Sequence, residues 1–123
     1  MIEVKNLYKS FGEQNVLSDI TCKFEDGKNN LIIGMSGSGK TVLLKCLISL
    51  HRPELGEIIY DGRDLLSLRS KELISLRQEI GVLFQGSALF DSMTVAENVM
   101  FPLRMFSNMT AKEREARMKL CLE

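Results

Sequence analysis

The alternation of apolar and polar positions divides the chain into a strand-rich first part and a helical last part. Ile2 to Leu7 and Val16 to Phe24 are strand-like, and Asp26-Gly27 marks a turn after the second run. Leu31-Ile32-Ile33 is a short apolar run leading into a glycine-rich loop, which predicts another strand. From Lys40 to Leu50 the residues are apolar nearly all round, apart from Lys45 and Ser49. That pattern predicts a helix buried on most faces. His51 and Arg52 suit its C-terminal carbonyls and Pro53 stops it. Gly56 to Tyr60 predicts a strand, Asp61-Gly62 a turn, and Ser70 the cap of a short helix reaching Gln78. Ile80 to Phe84 is an unbroken apolar run of the kind buried on both faces in parallel sheets. Thr94 with Glu97, and Thr110 with Glu113, form Thr-x-x-Glu capping boxes that open two further helices. Pro102 ends or kinks the first of these. Glu113–Arg117 and Glu115–Lys119 pairs at i,i+4 give the second a solvated face. β elements first, then strand–loop–helix, then helices, predict α/β architecture.

The bulk numbers narrow the class. The 123 residues suffice for one domain, with 45% hydrophobic and 26% charged positions, an ordinary globular mixture. Sixteen basic residues balance sixteen acidic ones, which argues against a nucleic-acid footprint. Cys22, Cys46 and Cys121 show no CxxC or Cys/His spacing and are odd in number, which fits a reduced cytosolic setting with buried thiols. No run approaches the ~20 apolar residues of a membrane span, and Val42 to Leu50 is broken by Lys45. Met-Ile-Glu-Val-Lys at the start has no apolar signal core. A membrane role is therefore expected to come through a partner.

Gly34-Met35-Ser36-Gly37-Ser38-Gly39-Lys40-Thr41 carries the chemistry, as a G-x-x-x-x-G-K-[ST] phosphate-binding loop. Glycines let successive backbone N–H groups turn inward around phosphate oxygens, and the positive end of the following helix adds to that attraction. Lys40 supplies an ammonium for β- and γ-phosphates, and the Thr41 hydroxyl suits Mg²⁺. The apolar run before the loop and the helix after it supply the context that the motif requires. The expected ligand is ATP or GTP.

The surroundings resemble the ATP-binding-cassette (ABC) ATPases across the whole chain. Lys9-Ser10-Phe11-Gly12 followed by Val16-Leu17 is similar to that family's adenine-stacking loop, with Phe11 as the platform and Val16 beside it. Gly56 to Gly62 resembles the strand and turn after the P-loop helix. Ile80-Gly81-Val82-Leu83-Phe84-Gln85 resembles the Q-loop strand, which implies that Gln85 positions Mg²⁺ and the attacking water. The nucleotide-binding set so implied is Phe11, Val16, Gly34, Ser36, Gly37, Ser38, Gly39, Lys40, Thr41 and Val42, with Thr41 and Gln85 toward the metal. Val42 stands where family members often have a second threonine or serine. Taken singly, Phe11 fits a core aromatic and Gln85 a surface glutamine; their joint order around the P-loop gives them roles.

The stretch from Phe84 to Val95, then Glu97-Asn98-Val99 and Phe101-Pro102-Leu103, resembles the ATPase subunit of Mla-type phospholipid transporters. That resemblance implies a cytoplasmic ATPase on the inner face of the membrane. It would act as a homodimer, bound to a permease through Gly86 to Met105 and serving an MCE-type lipid carrier. The fold so implied is a truncated P-loop NTPase: β-rich part and P-loop core over 1–85, start of a helical subdomain over 86–123.

The 123 residues contain no LSGGQ-like signature, no strand ending in a Mg²⁺-binding aspartate with a following glutamate, and no switch histidine. His51 is expected to be a helix-terminus residue. An N-terminal portion of a transporter ATPase, able to bind nucleotide but not to turn it over alone, is the expectation. A non-catalytic P-loop binding module and another P-loop enzyme, such as a small-molecule kinase, are the alternatives; a kinase needs an acceptor site and lid arginines.

Overall fold

Two long strands, β1 (Ile2–Phe11) and β2 (Gln14–Phe24), form a hairpin at the start of the chain. The computed structural model describes residues 1–123, in two units, Met1–Gly81 and Val82–Glu123. In the first unit β1 pairs antiparallel with β2 on one edge and with β3 (Leu55–Tyr60) on the other; a two-residue β4 (Arg63–Asp64) completes the order β2-β1-β3-β4. Val4 and Leu7 of β1, Leu17 of β2, and Ile58 and Tyr60 of β3 are buried. Against them packs one face of α1 (Lys40–Leu47), through Leu43, Cys46 and Leu47, together with Leu76 of α2 (Ser70–Gln78).

Several expectations are corrected here. Leu31–Ile33 and Ile80–Phe84 are not strands. A strand needs a neighbour's ladder, β1 already has both edges filled, and no other segment pairs with either run. Leu31, Ile33 and Leu83 are consequently 84%, 80% and 92% exposed. The sheet that forms is wholly antiparallel. Helix α1 ends at Leu47 rather than Leu50, because Ser49 turns left-handed (φ 59°). Ser49 N–H then bonds Cys46 O at 3.0 Å and Leu50 N–H bonds Lys45 O at 2.8 Å, the paired C-terminal bonds of a Schellman ending. The helix is buried on one face only, with Leu44 exposed. At α2 the cap position is Arg69, and Ser70 is already helical; the Glu72 carboxylate accepts the Arg69 N–H at 2.8 Å.

The second unit holds α3 (Val95–Phe106) and α4 (Ala111–Leu122), which pack together with Met118 buried. Both capping boxes form: Glu97 and Glu113 each accept a threonine N–H at 2.7 Å, and the threonine hydroxyls accept in return at 3.2 and 3.3 Å. Backbone hydrogen bonding of this kind holds both glutamate carboxyls below their ordinary pKa. Pro102 does not end α3, which runs four residues further. The Lys119–Glu115 pair forms at 3.1 Å. Glu113 is committed to its cap and makes no ion pair with Arg117. Before α3, the Asn98 side chain accepts from Phe90 N–H at 2.8 Å and donates to the carbonyls of Phe90, Met93 and Thr94, which fixes the approach to the helix. Cys46 is buried and Cys22 half-buried, whereas Cys121 is exposed, so buried thiols describe only part of the set.

Candidate functional site

Three of the four helices begin with a glutamate accepting the N–H of the cap residue: Glu72, Glu97 and Glu113. Helix α1 does not. Its cap is Gly39, at φ 95°, with no side chain to donate an acceptor and no acidic residue in the first turn. The leading N–H groups of a helix have no intrahelical partner, and at α1 nothing in the chain supplies one. Those donors, with the positive end of the helix, are left for an anion. Gly39 is required here for two reasons: its left-handed backbone, and the pressure of β2 behind it. A Cβ would lie 3.1 Å from Val16 O and 3.0 Å from Leu17 Cδ2. Val16 thus serves as a wall of the loop.

Lys40 stands over the same loop. Its Nζ donates to Gly34 O at 2.8 Å, Met35 O at 2.6 Å and Ser38 Oγ at 3.4 Å. Ser38 N–H closes the turn onto Met35 O at 3.1 Å. The ammonium is therefore tied to both sides of the Gly34–Gly39 arc. Thr41, in the first helical turn, is exposed, and Ser36 and Gly37 form the open outer rim. This donor set fits a phosphate chain: free helix N–H groups, a lysine ammonium in the loop, and an accessible hydroxyl beside them. Mg²⁺ would take the Thr41 hydroxyl as its ligand from this unit. No cluster of three or more His, Cys, Asp or Glu side chains competes for it.

The opposite end of α1 is fully satisfied. Tyr60 Oη donates to Leu47 O at 2.6 Å, and Arg77 donates to Ile48 O at 3.2 Å and Ser49 O at 2.7 Å. Burial pushes the Tyr60 phenol up to about 12. His51 and Arg52, expected to cap these carbonyls with their side chains, do not; the guanidinium comes from α2 instead. The P-loop helix is pinned at its carbonyl end by β3 and α2 and left open at its N–H end.

Phe11 lies at the hairpin end of β1, 44% exposed rather than in the core. Lys9 Nζ sits 4.9 Å from its ring centroid, and the His51 ring meets it edge-to-face at 5.2 Å. Glu54 holds the arrangement together: one carboxylate oxygen accepts Lys9 Nζ at 2.7 Å and the other accepts Ser10 N–H at 2.9 Å. The Lys9 hydrogen bond is the main reason the Glu54 carboxyl is held below the usual range. These partners are 45 and 44 residues apart in sequence, so no local signal announced them. Val42 follows in the half-buried part of the first turn. Gln85 belongs to the second unit, in an exposed turn closed by Ser87 N–H to Phe84 O at 3.0 Å.

The family model for ABC transporters matches residues 17–123. The chain belongs to the ABC transporter family. It is 47% identical, over 94% of its length, to a Mycobacterium leprae protein named "Probable ribonucleotide transport ATP-binding protein mkl", covering 33% of that protein. It is 41% identical over 85% of its length to the intermembrane phospholipid transport system ATP-binding protein MlaF of Haemophilus influenzae, covering 39% of it. Among solved structures, a dimeric ATP-binding cassette in a post-hydrolysis state with ADP and Pi superposes with a TM-score of 0.85 at 32% identity, over 99% of this chain and 56% of that one. The P-loop NTPase fold is thereby shown. The chain spans about a third of the length of the curated relatives it matches.

Proposed function

We propose that this chain is the nucleotide-binding part of an ABC transporter ATPase subunit, taking ATP with Mg²⁺ at the Gly34–Thr41 loop. The observation that carries this reading is the uncapped, acid-free N-terminus of α1 with Lys40 tied over the loop. In this role the loop N–H groups and Lys40 hold the phosphates, Thr41 ligates the metal, Phe11 stacks the base and Gln85 orients the attacking water. Bound through Thr41, Mg²⁺ would supply neutralisation of phosphate charge; the protein's work is positioning. The sequence has no signature motif and no carboxylate base after an aspartate-ending strand, so the chain alone binds nucleotide without turning it over. Lys40→Ala removes a charge-assisted contact of about 1.5–3 kcal/mol, ten- to hundredfold in affinity. Titration calorimetry with MgATP tests this, and equal affinities for the two proteins would sink the reading.

The partners proposed are a second ATPase subunit and a membrane permease docked on Gly86 to Met105, where Leu89, Phe90 and Met105 are exposed. The site of action is then the cytoplasmic face of the inner membrane. Cysteine cross-linking from Phe90 or Met105 to a co-expressed permease checks the docking; bonds confined to the ATPase refute it. Phospholipid, handed on by an MCE-type carrier, is the cargo we assign. The resemblance over Phe84 to Leu103 and the MlaF relative support it, while the mkl relative's printed name specifies ribonucleotide transport. ATPase stimulation in the assembled transporter by ribonucleotides and not by phospholipid vesicles would overturn this assignment.

A further inference from the structure

The surroundings of Phe11 are more ordered than an exposed ring at a hairpin end requires. Phe11 pairs with Gln14 at the last register position of the hairpin and has solvent over much of its surface. A side chain so placed ordinarily exchanges among rotamers. Here two contacts restrain it. The Lys9 ammonium stands against the ring and is itself fixed by Glu54, and the His51 imidazole meets the ring at an interplanar angle of 75°. His51 in turn is anchored by its backbone: its N–H bonds Lys45 O at 3.1 Å, in the last turn of α1. Three residues on, Glu54 N–H bonds Tyr8 O at 3.0 Å, and the Glu54 carboxylate takes Ser10 N–H. The segment 51–54 therefore links the end of the P-loop helix to the end of β1, and His51 is its contact with the aromatic ring.

We infer that His51 is a positioning residue for the nucleobase: it holds the Phe11 ring in one orientation relative to α1, so that base and phosphates are received by elements already in register. This rests on the reading of Phe11 and the Gly34–Thr41 loop as one nucleotide site. Stacking a base on an aromatic ring is favourable whatever the base. A freely rotating ring loses conformational freedom when it stacks, and a ring already restrained does not. His51 touches neither the phosphates' donors nor Lys40 by any hydrogen bond or ring contact, so its effect is confined to the base.

That confinement defines the test. Calorimetry is run on the chain with MgATP and with inorganic tripolyphosphate, for wild type, His51→Ala, His51→Phe and Lys40→Ala. An edge-to-face aromatic contact corresponds to about two- to tenfold in binding. His51→Ala is expected to weaken MgATP by that factor and leave tripolyphosphate unchanged. His51→Phe, which restores an aromatic edge, is expected to recover MgATP affinity. Equal weakening of both ligands by His51→Ala would show a general structural role and overturn the inference, as would no change in either, or no recovery by His51→Phe. Those results leave the loss in Lys40→Ala intact and so spare the nucleotide reading. A wild type that binds neither ligand, or Lys40→Ala matching wild type for both, overturns the two together.

Discussion

Replacing Gly39 by alanine, with Gly37→Ala as its control, separates two demands that the P-loop makes on its glycines. Both residues are left-handed, at φ 95° and 75°. Around Gly37 a Cβ meets nothing within 4 Å, so only the backbone penalty applies, about 1–2 kcal/mol. At Gly39 the same penalty is joined by contacts at 3.1 Å to Val16 O, 3.1 Å to Val16 Cγ1 and 3.0 Å to Leu17 Cδ2. One of these is backbone in a paired strand, which cannot give by rotating. Overpacking of that kind adds about 1–3 kcal/mol, so Gly39→Ala totals about 2–5 kcal/mol. The loop can relieve the strain by leaving its conformation, and a bound phosphate chain must then restore it. The penalty therefore appears as lost affinity for MgATP. The difference between the variants is the overpacking alone, about 1–3 kcal/mol, or about five- to 150-fold. Calorimetry on both, with circular dichroism to confirm that β1–β3 and α1 persist, reads it directly. Equal losses within twofold would refute the claim that β2 presses on the loop, and a larger loss in Gly37→Ala would invert it.

Two further predictions follow from the packing. The Tyr60 phenol is pushed up to about 12 from an ordinary 10.0, so its contribution is constant below about pH 10 and is lost as pH rises toward 12; urea midpoints of the wild type should fall more steeply across that window than those of Tyr60→Phe, and parallel curves would refute the assignment. Leu31, Ile33, Val82, Leu83 and Phe84 are exposed in segments that join no sheet and offer their apolar side chains to another chain, so the 123-residue chain should self-associate in light scattering after size exclusion. A sharp monomer peak with strong amide protection over Ile80 to Phe84 would prove this wrong.

Much of both units was legible in the sequence because its signals are local. The runs at 2–7, 16–24 and 56–60 fall inside β1, β2 and β3, and the two Thr-x-x-Glu boxes open α3 and α4 where expected. The loop proposed to hold phosphate was recognisable for the same reason, since Gly34, Gly37, Gly39, Lys40 and Thr41 all fall within Gly34–Thr41. What failed was of two kinds. Leu31–Ile33 and Ile80–Phe84 have the composition of buried strands, but composition reports a preference for burial and not the presence of a partner to bury against. The supports of the site are long-range: Tyr60 reaches Leu47 across 13 residues, Arg77 reaches Ile48 across 29 and Glu54 reaches Lys9 across 45. The last two pairs lie outside any local window, and the first is not marked by any spacing rule.

The helix ends carry this distinction into function. Helices α2, α3 and α4 each place a glutamate at their starts, whose carboxylate takes the cap N–H and sits at the positive end of the helix. Only α1 departs from that rule, and it departs at one end. Its carbonyl end takes a phenol from β3 and a guanidinium from α2, both donors from distant parts of the unit, so the helix cannot move freely when an anion pulls at its other end. A helix uncapped at both ends would fray toward whichever group it bound. Fixed at the carbonyl end, α1 presents its N–H groups at a set place, with Val16 behind Gly39 and Lys40 over the loop. Sites are found where local rules break and distant contacts compensate. Here the break is the missing cap at Gly39, and the compensation is Tyr60 and Arg77.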